Sequence, residues 1–542
     1  MLNFMVGMRE SMYTKPSALR LSKPAIISLP ALLRGLLPLY LLLAGCATTL
    51  PTDYKRTPST ALADPVKTEL GRFFRPEIET HAGDSGAVLI ISGRGGFRAR
   101  VGLANVAEKT LDLQYFVWEN DTIGKVIAER VLRAADRGVR VRLLIDDNGT
   151  EDTEFGFAQM DIHPNIEIRL FNPFADRDSR LFQFAADFDR LNHRMHNKAF
   201  IADNAAAIVG GRNIGNAYYG IGAAANFRDA DVGLVGPVVQ QLSRSFDLYW
   251  NSEQAIPIGA LVEHGLSVQE FTDRKNQLYR WVEELDDFPY QIDRTKNELL
   301  ARLQDLRDSF VWAPVKVIYD PPDKLKTRDE VVLDEFLDIG QDREHEVVVE
   351  AAYWIPGELM LSRARDSREK GISVRVLTNS LATNDVAAAH AGYAKYREQM
   401  LRYGVEIYEL RPDAGARRPR WWLMAGRSKA SLHTKVVVYD RRKVVIGSFN
   451  LDPRSASINT EVVVVIDSAD FASQILTYME TGIRLKNSYR LKLESDKPGT
   501  EQLVWITEND GEEVRYYSDP EVGIWRRFTT WLVSLLPIGH LL

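Results

Sequence analysis

The chain reads as an α/β protein made of two copies of one domain, and three observations say so. First, the spacing HxKxxxxD, six residues, then Gly-small-x-Asn occurs twice, through His196, Lys198, Asp203, Gly210 and Asn213 and again through His433, Lys435, Asp440, Gly447 and Asn450. Second, the surroundings repeat. Residues 111–118, a helical stretch, Gly138 and a strand pattern over 139–145 are matched by residues 347–354, a helical stretch, Gly371 and a strand pattern over 372–377. Gly138 stands 58 residues before His196, and Gly371 stands 62 before His433, so the repeat is a whole domain. Third, Val/Ile-rich runs alternate with helical patterns, as expected of sheets buried on both faces under helices.

The elements follow in chain order. Residues 1–34 carry Arg9, Lys15, Arg20, Lys23 and Arg34 against Glu10, and an apolar run from Gly35 leads to Leu43-Ala44-Gly45-Cys46. This is the plan of a signal peptide, and the run is short for a membrane span. Its end resembles a bacterial lipoprotein cleavage site, which implies cutting before Cys46 and lipid on its sulfur. Ala47 resembles an outer-membrane sorting residue, so the expected location is the bacterial cell envelope, on the outer membrane facing the periplasm. The long basic region points to a later start, at Met8 or Met12. Cys46 is the only cysteine, so no disulfide forms within the chain.

Residues 47–82, with Pro51, Pro58, Pro65 and Pro76, read as a linker. The first domain spans 83–258. Residues 259–325 read as a helical bridge, with Leu278, Trp281, Val282 and Leu285 at i, i+3, i+4, i+7 as a packing stripe. The second domain spans 326–490. In it the stretch from Arg411 through Trp421-Trp422 to Lys429 holds six basic residues and one acid, which suits anionic headgroups or, equally, a solvated loop. Residues 491–542 read as a hairpin turning at Asp510-Gly511, then a basic, aromatic, apolar segment over 524–536 that fits either an interfacial helix or one docked on the protein.

The motif spacing carries chemistry. Residues i and i+2 of an extended strand share a face, so His196 and Lys198 project together, as do His433 and Lys435. An imidazole attacks phosphorus or passes a proton near neutral pH, while an ammonium neutralises a phosphate oxygen. Two such pairs around one phosphodiester, with Asn213 and Asn450 as further donors, suit in-line displacement without a metal or cofactor. Each histidine needs an acceptor on its second ring nitrogen. Glu461 on the strand after the second motif, and Asp229 rather than Asp231 after the first, are the candidates. Asp203 and Asp440 close their strands before turns and read as structural. Ser448 has Gly211 as its counterpart, so a hydroxyl there is not required in both halves.

These residues resemble the signature of the phospholipase D superfamily, two histidine-lysine-aspartate motifs. The variant 210–213 (GGRN), the run 447–455 (GSFNLDPRS) and Asn459-Thr460-Glu461 resemble its cardiolipin synthase-like branch. The likeness covers about residues 85 to 490. It implies a pseudo-twofold duplicated fold, two α/β/α sandwich domains whose mixed sheets pack together with the site in the seam. It implies a phosphatidyltransferase, a cardiolipin synthase working through a covalent phosphohistidine, with phosphatidylglycerol as expected substrate, while the lipoprotein-like site at Cys46 implies a lipidated N-terminus as membrane anchor. By the same analogy His196 attacks and His433 serves as acid and then base. Hydrolysis to phosphatidic acid, and a secreted phosphodiesterase or nuclease, are the alternative activities. The net charge of −6 and pI near 6.0 argue against a bulk nucleic-acid binder, and no partner protein is indicated.

Overall fold

A computed structural model describes residues 49–263, 265–292, 296–415, 429–495 and 501–536. The signal-peptide reading, Cys46 and most of the tryptophan loop lie outside the described residues. Among the described residues no helix is long and apolar enough to cross a membrane.

The first sheet is built from β1 (Ser85–Ile90), β2 (Thr110–Tyr115), β3 (Arg140–Asp146), β4 (Ile166–Phe171), β5 (Ala199–Ala202), β6 (Ala206–Gly210), β8 (Asp231–Val235), β9 (Ala255–Pro257) and β10 (Val311–Ala313). Its strand order is β10-β1-β8-β6-β5-β2-β3-β4-β9, with β2, β3 and β4 parallel and the other neighbours antiparallel. The second sheet uses β11 (Val315–Tyr319), β12 (Glu346–Ala351), β13 (Ser373–Asn379), β14 (Glu406–Leu410), β16 (Lys435–Tyr439), β17 (Lys443–Gly447), β18 (Val462–Asp467), β19 (Ser488–Glu494), β20 (Gln502–Asn509) and β21 (Glu512–Tyr516). Its order, β11-β18-β17-β16-β12-β13-β14-β19-β20-β21, repeats eight positions of the first, with β12, β13 and β14 again the parallel ones. The duplication read from the motifs is therefore a duplication of topology.

The sheets meet through one apolar core. Val209, Val232 and Leu234 of the first pack with Val436, Ile446 and Val464 of the second, flanked by the helices Pro237–Trp250 and Ala469–Ile483. Outer cores beneath the helices on the far faces complete each sandwich. Backbone pairing also crosses the seam. β7 (Ala225–Arg228) runs parallel to β15 (Lys429–Leu432), and Met195 bridges Thr460.

Two segment readings change, the linker and the bridge. Residues 69–80 of the expected linker are the helix Glu69–Thr80. Thr68 accepts the Gly71 amide as its N-cap, and Leu70 and Phe74 are buried one turn apart, so apolar burial outweighs the Pro76 punctuation. The residues before it lie strapped along the first domain, where Arg142, Arg169 and Arg140 donate to the carbonyls of Ser59, Thr57 and Thr60. The bridge between the domains ends early. After the helices Val268–Glu283 and Lys296–Leu306 the chain enters β10 and β11, so the second domain begins at Val315. Within the bridge Val282 is buried, whereas Trp281 is partly exposed beside the Lys125 ammonium. The hairpin forms at Asp510-Gly511 as expected, and it extends the second sheet through β19.

Candidate active site

His196 and Lys198 lie just before β5, and His433 and Lys435 lead into β16, so the two motifs enter their sheets at the seam. The seam's hydrogen bonds are reciprocal. The His196 amide donates to the Thr460 carbonyl (2.9 Å), and the His433 amide donates to the Arg228 carbonyl (2.8 Å). Each histidine backbone is thus pinned by the residue immediately before the other half's candidate carboxylate.

The carboxylates follow the same exchange. His196 Nδ1 lies 3.0 and 3.1 Å from the Glu461 oxygens and 3.0 Å from the Ser448 carbonyl. His433 Nδ1 lies 2.7 Å from Asp229 Oδ2. Each imidazole is therefore held by an acid of the opposite domain, whereas a duplicated sequence suggests support within a domain. With Nδ1–H donating to a carboxylate, the lone pair sits on Nε2, the nitrogen turned away from the acid. All four side chains are buried.

Each acid has its own second contacts. Ser448 Oγ (2.5 Å) and Ser455 Oγ (2.7 Å) donate to Glu461. Burial pushes Glu461 up, but His196, Lys198 and Ser448 together hold it below the usual carboxylate range. Asp229, raised by burial against Lys435 and Arg212, lies where Gly211 has no side chain. A Cβ on Gly211 would stand 2.4 Å from Asp229 Oδ1. That explains the Gly211 and Ser448 difference: one half fills the space with a hydroxyl, the other with the carboxylate itself.

The lysines reach back along their strands, Lys198 Nζ to the His196 carbonyl and Lys435 Nζ to the His433 carbonyl, both at 2.5 Å. Lys198 keeps two further protons to donate, and Lys435, whose Nζ also stands 3.3 Å from His433 Nδ1, keeps at least one. Burial lowers both lysines, Lys198 well below its ordinary value. Burial and the two ammonium groups also keep the imidazoles neutral. His196 is lowered to about 4, and His433 is lowered well below its usual value. His433 feels Lys198, Lys435 and His196 together, so the two motifs share one electrostatic site. Phe116 stands edge-on to His196, and Tyr218 and Phe227 flank His433, each at 5.1 Å between ring centroids.

The asparagines differ. Asn213 accepts the Val117 amide and donates to the Tyr218 hydroxyl at 3.0 Å, so the phenol stands between it and the His433 ring. Among the described residues the buried Asn450 Oδ1 has no hydrogen-bond partner. Asp203 and Asp440 sit at φ +53° and +49° and lie away from the imidazoles. Each accepts three backbone amides, Asp203 from residues 108–110 and Asp440 from residues 344–346, and so fixes the entry to β2 or β12. Asp231 is a structural ion, paired with Arg100 (2.9 Å) and Arg212 (3.1 Å). Of the basic loop, Arg411 is an internal anchor to Asp413 and Thr507 and Lys429 opens β15; residues 416–428 lie outside the described residues.

Sequence reasoning missed Tyr218, Ser455 and the pair Tyr353–Asp385, whose hydroxyl and carboxylate meet at 2.7 Å on the His433 side. Tyr218 follows Asn213 by five residues, and Ser455 follows Asn450 by five. A search for matching residue types in the two copies discards both.

The family profile described as "Cardiolipin synthase, PLD-like domain" matches residues 102–250 and 341–482. Among relatives, "Cardiolipin synthase C" of Escherichia coli (strain K12) is 36% identical over 473 residues, 86% of this chain and 98% of that one. "Cardiolipin synthase A" of Pseudomonas putida (strain W619) is 25% identical over 399 residues, 72% of this chain and 67% of that one. Among solved structures, a phosphatidylserine synthase from Haemophilus influenzae Rd KW20 aligns with a TM-score of 0.55 at 14% identity, covering 87% of this chain and 100% of that one. That likeness is one of fold.

Proposed function

The chain belongs to the phospholipase D superfamily, in its cardiolipin synthase-like branch, and from that premise we propose that it is a phosphatidyltransferase that makes cardiolipin through a phosphohistidine. The observation that supports this most is the exchange of acids across the seam. Two imidazoles, each orientated by the other domain's carboxylate, stand in one site with two ammonium groups.

In the proposed cycle the Nε2 lone pair of neutral His196 attacks the phosphorus of phosphatidylglycerol. The bond from phosphorus to the departing glycerol oxygen breaks, and that oxygen takes the Nε2 proton of His433. Binding of the negative phosphodiester favours the protonated form of a neighbouring imidazole, so His433 takes that proton from solvent as the substrate enters. Lys198 and Lys435 donate to the phosphoryl oxygens as charge builds there. The headgroup hydroxyl of a second phosphatidylglycerol then gives its proton to His433 while its oxygen attacks phosphorus, which yields cardiolipin. The P–N bond breaks and its electron pair returns to His196. A water in place of that hydroxyl would give phosphatidic acid.

Incubating the purified protein with phosphatidylglycerol, with and without phosphatidylethanolamine or glycerol, and resolving the lipid products tests the proposal. Cardiolipin supports transfer; phosphatidic acid alone replaces it with hydrolysis; unchanged lipid with cleaved DNA overturns both. The proposal places the enzyme in the bacterial envelope, held by lipid on Cys46. The intact mass of envelope-extracted protein, compared with a Cys46→Ser variant, checks that part.

A further inference from the structure

The C-terminal helix Ile524–Ser534 is docked the wrong way round for a helix that belongs to a protein core. An amphipathic helix normally buries its apolar stripe and leaves its polar face to water. Here Thr530 is the one buried residue, and the helix packs on the small-residue helix Ala387–Ala394. Its polar side is tied inward, with the Arg526 guanidinium donating to the Asn384 carbonyl and Arg527 to the Asp519 carbonyl. Asp519 in turn pairs with Arg397 (3.1 Å) and His390 (3.5 Å), which clamps the root of the helix.

The apolar stripe faces out. Ile524, Trp525, Phe528, Trp531, Leu532 and Leu535 are 48–87% exposed, with Trp525, Phe528 and Trp531 forming a ladder of rings under 6 Å apart. A stripe this apolar, held outward by internal bonds, needs an apolar environment. Its composition selects which one. Residues 522–536 contain no acid, the two arginines are bonded inward, and the outward rings are indoles and a phenyl, with indole favoured at the headgroup boundary of a bilayer.

Its position ties it to the reaction. Asn384, whose carbonyl Arg526 holds, is followed by Asp385, which bonds Tyr353 and acts electrostatically on His433 and Lys435. The helix thus braces the loop that walls the His433 side of the site. We propose that this helix is a membrane-contacting element whose outward face lies in the headgroup region of a phospholipid bilayer and whose inward face fixes the site's mouth against that surface. The proposal rests on the phospholipid reading above for its link to turnover, but lipid contact itself is measurable without catalysis.

The test uses the full chain with Cys46→Ser and a single environment-sensitive nitrobenzoxadiazole label, on Phe528→Cys or, as a control, on Glu513→Cys in the exposed hairpin. Vesicles of phosphatidylethanolamine and phosphatidylglycerol are expected to shift the label at 528 to the blue with a several-fold rise in intensity, leaving 513 unchanged. A label at 528 that stays in water, or that shifts on concentrating the protein without lipid, overturns the proposal, the second outcome by showing a second copy as the occupant. In parallel, Trp525→Ser/Trp531→Ser should lower turnover on vesicles by about tenfold or more while sparing turnover of dispersed short-chain phosphatidylglycerol. Equal loss on both substrates would overturn the coupling to the membrane. If the wild type turns over neither substrate while the label enters the bilayer, the functional reading fails and the lipid contact stands.

Discussion

Glu461→Gln is the sharpest probe of the exchanged acids. The carboxylate is fully buried and receives three donors, His196 Nδ1, Ser448 Oγ and Ser455 Oγ. Glutamine has the same volume, so packing is kept and the change is one of hydrogen-bond type. The two hydroxyls can turn and accept from the new amide. The amide oxygen and the Ser448 carbonyl still accept the Nδ1 proton, so the tautomer with its lone pair on Nε2 is kept, and what is lost is the negative charge that stabilises the imidazole as it gains positive charge during attack. Losing a charge-assisted bond costs roughly 1.5–3 kcal/mol. At about 1.4 kcal/mol per factor of ten, that is a loss of roughly 10- to 150-fold in turnover. A phosphatidyl ester of p-nitrophenol isolates the step, because that leaving group needs no proton from His433. The burst of p-nitrophenol should then slow by that factor in Glu461→Gln but stay within a few-fold of wild type in Asp229→Asn, which of the two imidazoles meets only that of His433. A wild-type burst in a folded Glu461→Gln protein refutes the support of His196 by Glu461. The reverse pattern, Asp229→Asn silent and Glu461→Gln active, reassigns the nucleophile to His433.

Three further outcomes follow from the geometry. Gly211→Ala sets a methyl against the Asp229 carboxylate, so it should cost about 1–3 kcal/mol of stability by overpacking and a larger fraction of activity than Ser448→Ala; steady-state rates and melting curves compare them. Asp203→Ala strips three backbone amides of their acceptor and leaves alanine at φ +53°. It should lose about 2–4 kcal/mol of stability, seen in urea melts, with near wild-type turnover per folded molecule. His193 is pushed down to about 4 by burial and then by Lys324. Below its unfolded value of about 6.5 the unfolded chain binds a proton that the folded one refuses, so stability is lost as pH falls from there to about 4. Relative to His193→Gln, the wild type should lose about 2.5 kcal/mol between pH 7.5 and 4.5, and a difference in urea stability that is flat with pH would refute this.

What was legible in the chain was whatever repeats or alternates. Strand alternation puts His196 with Lys198 and His433 with Lys435, and the choice of Asp229 over Asp231 as the counterpart of Glu461 falls on the acid that reaches an imidazole. The partner exchange was not legible, because it depends on how two sheets meet. The parallel pairing of β7 with β15 and the bridge from Met195 to Thr460 are contacts between distant segments with no local pattern. The helix Glu69–Thr80 was hidden for the opposite reason: prolines that punctuate a solvated chain were outweighed by Leu70 and Phe74 finding a core. The exchange also changes what duplication means for this site. If each domain supported its own histidine, one half could retain an orientated imidazole, and the second would add only the other proton carrier. With the acids exchanged, a separated first domain keeps His196 and loses Glu461, while the second keeps His433 and loses Asp229. Neither half holds one complete unit, so drift in the seam by a hydrogen-bond length disables both imidazoles at once. The large shared apolar core between the sheets therefore acts on the reaction by fixing the distance at which two domains complete each other's histidines.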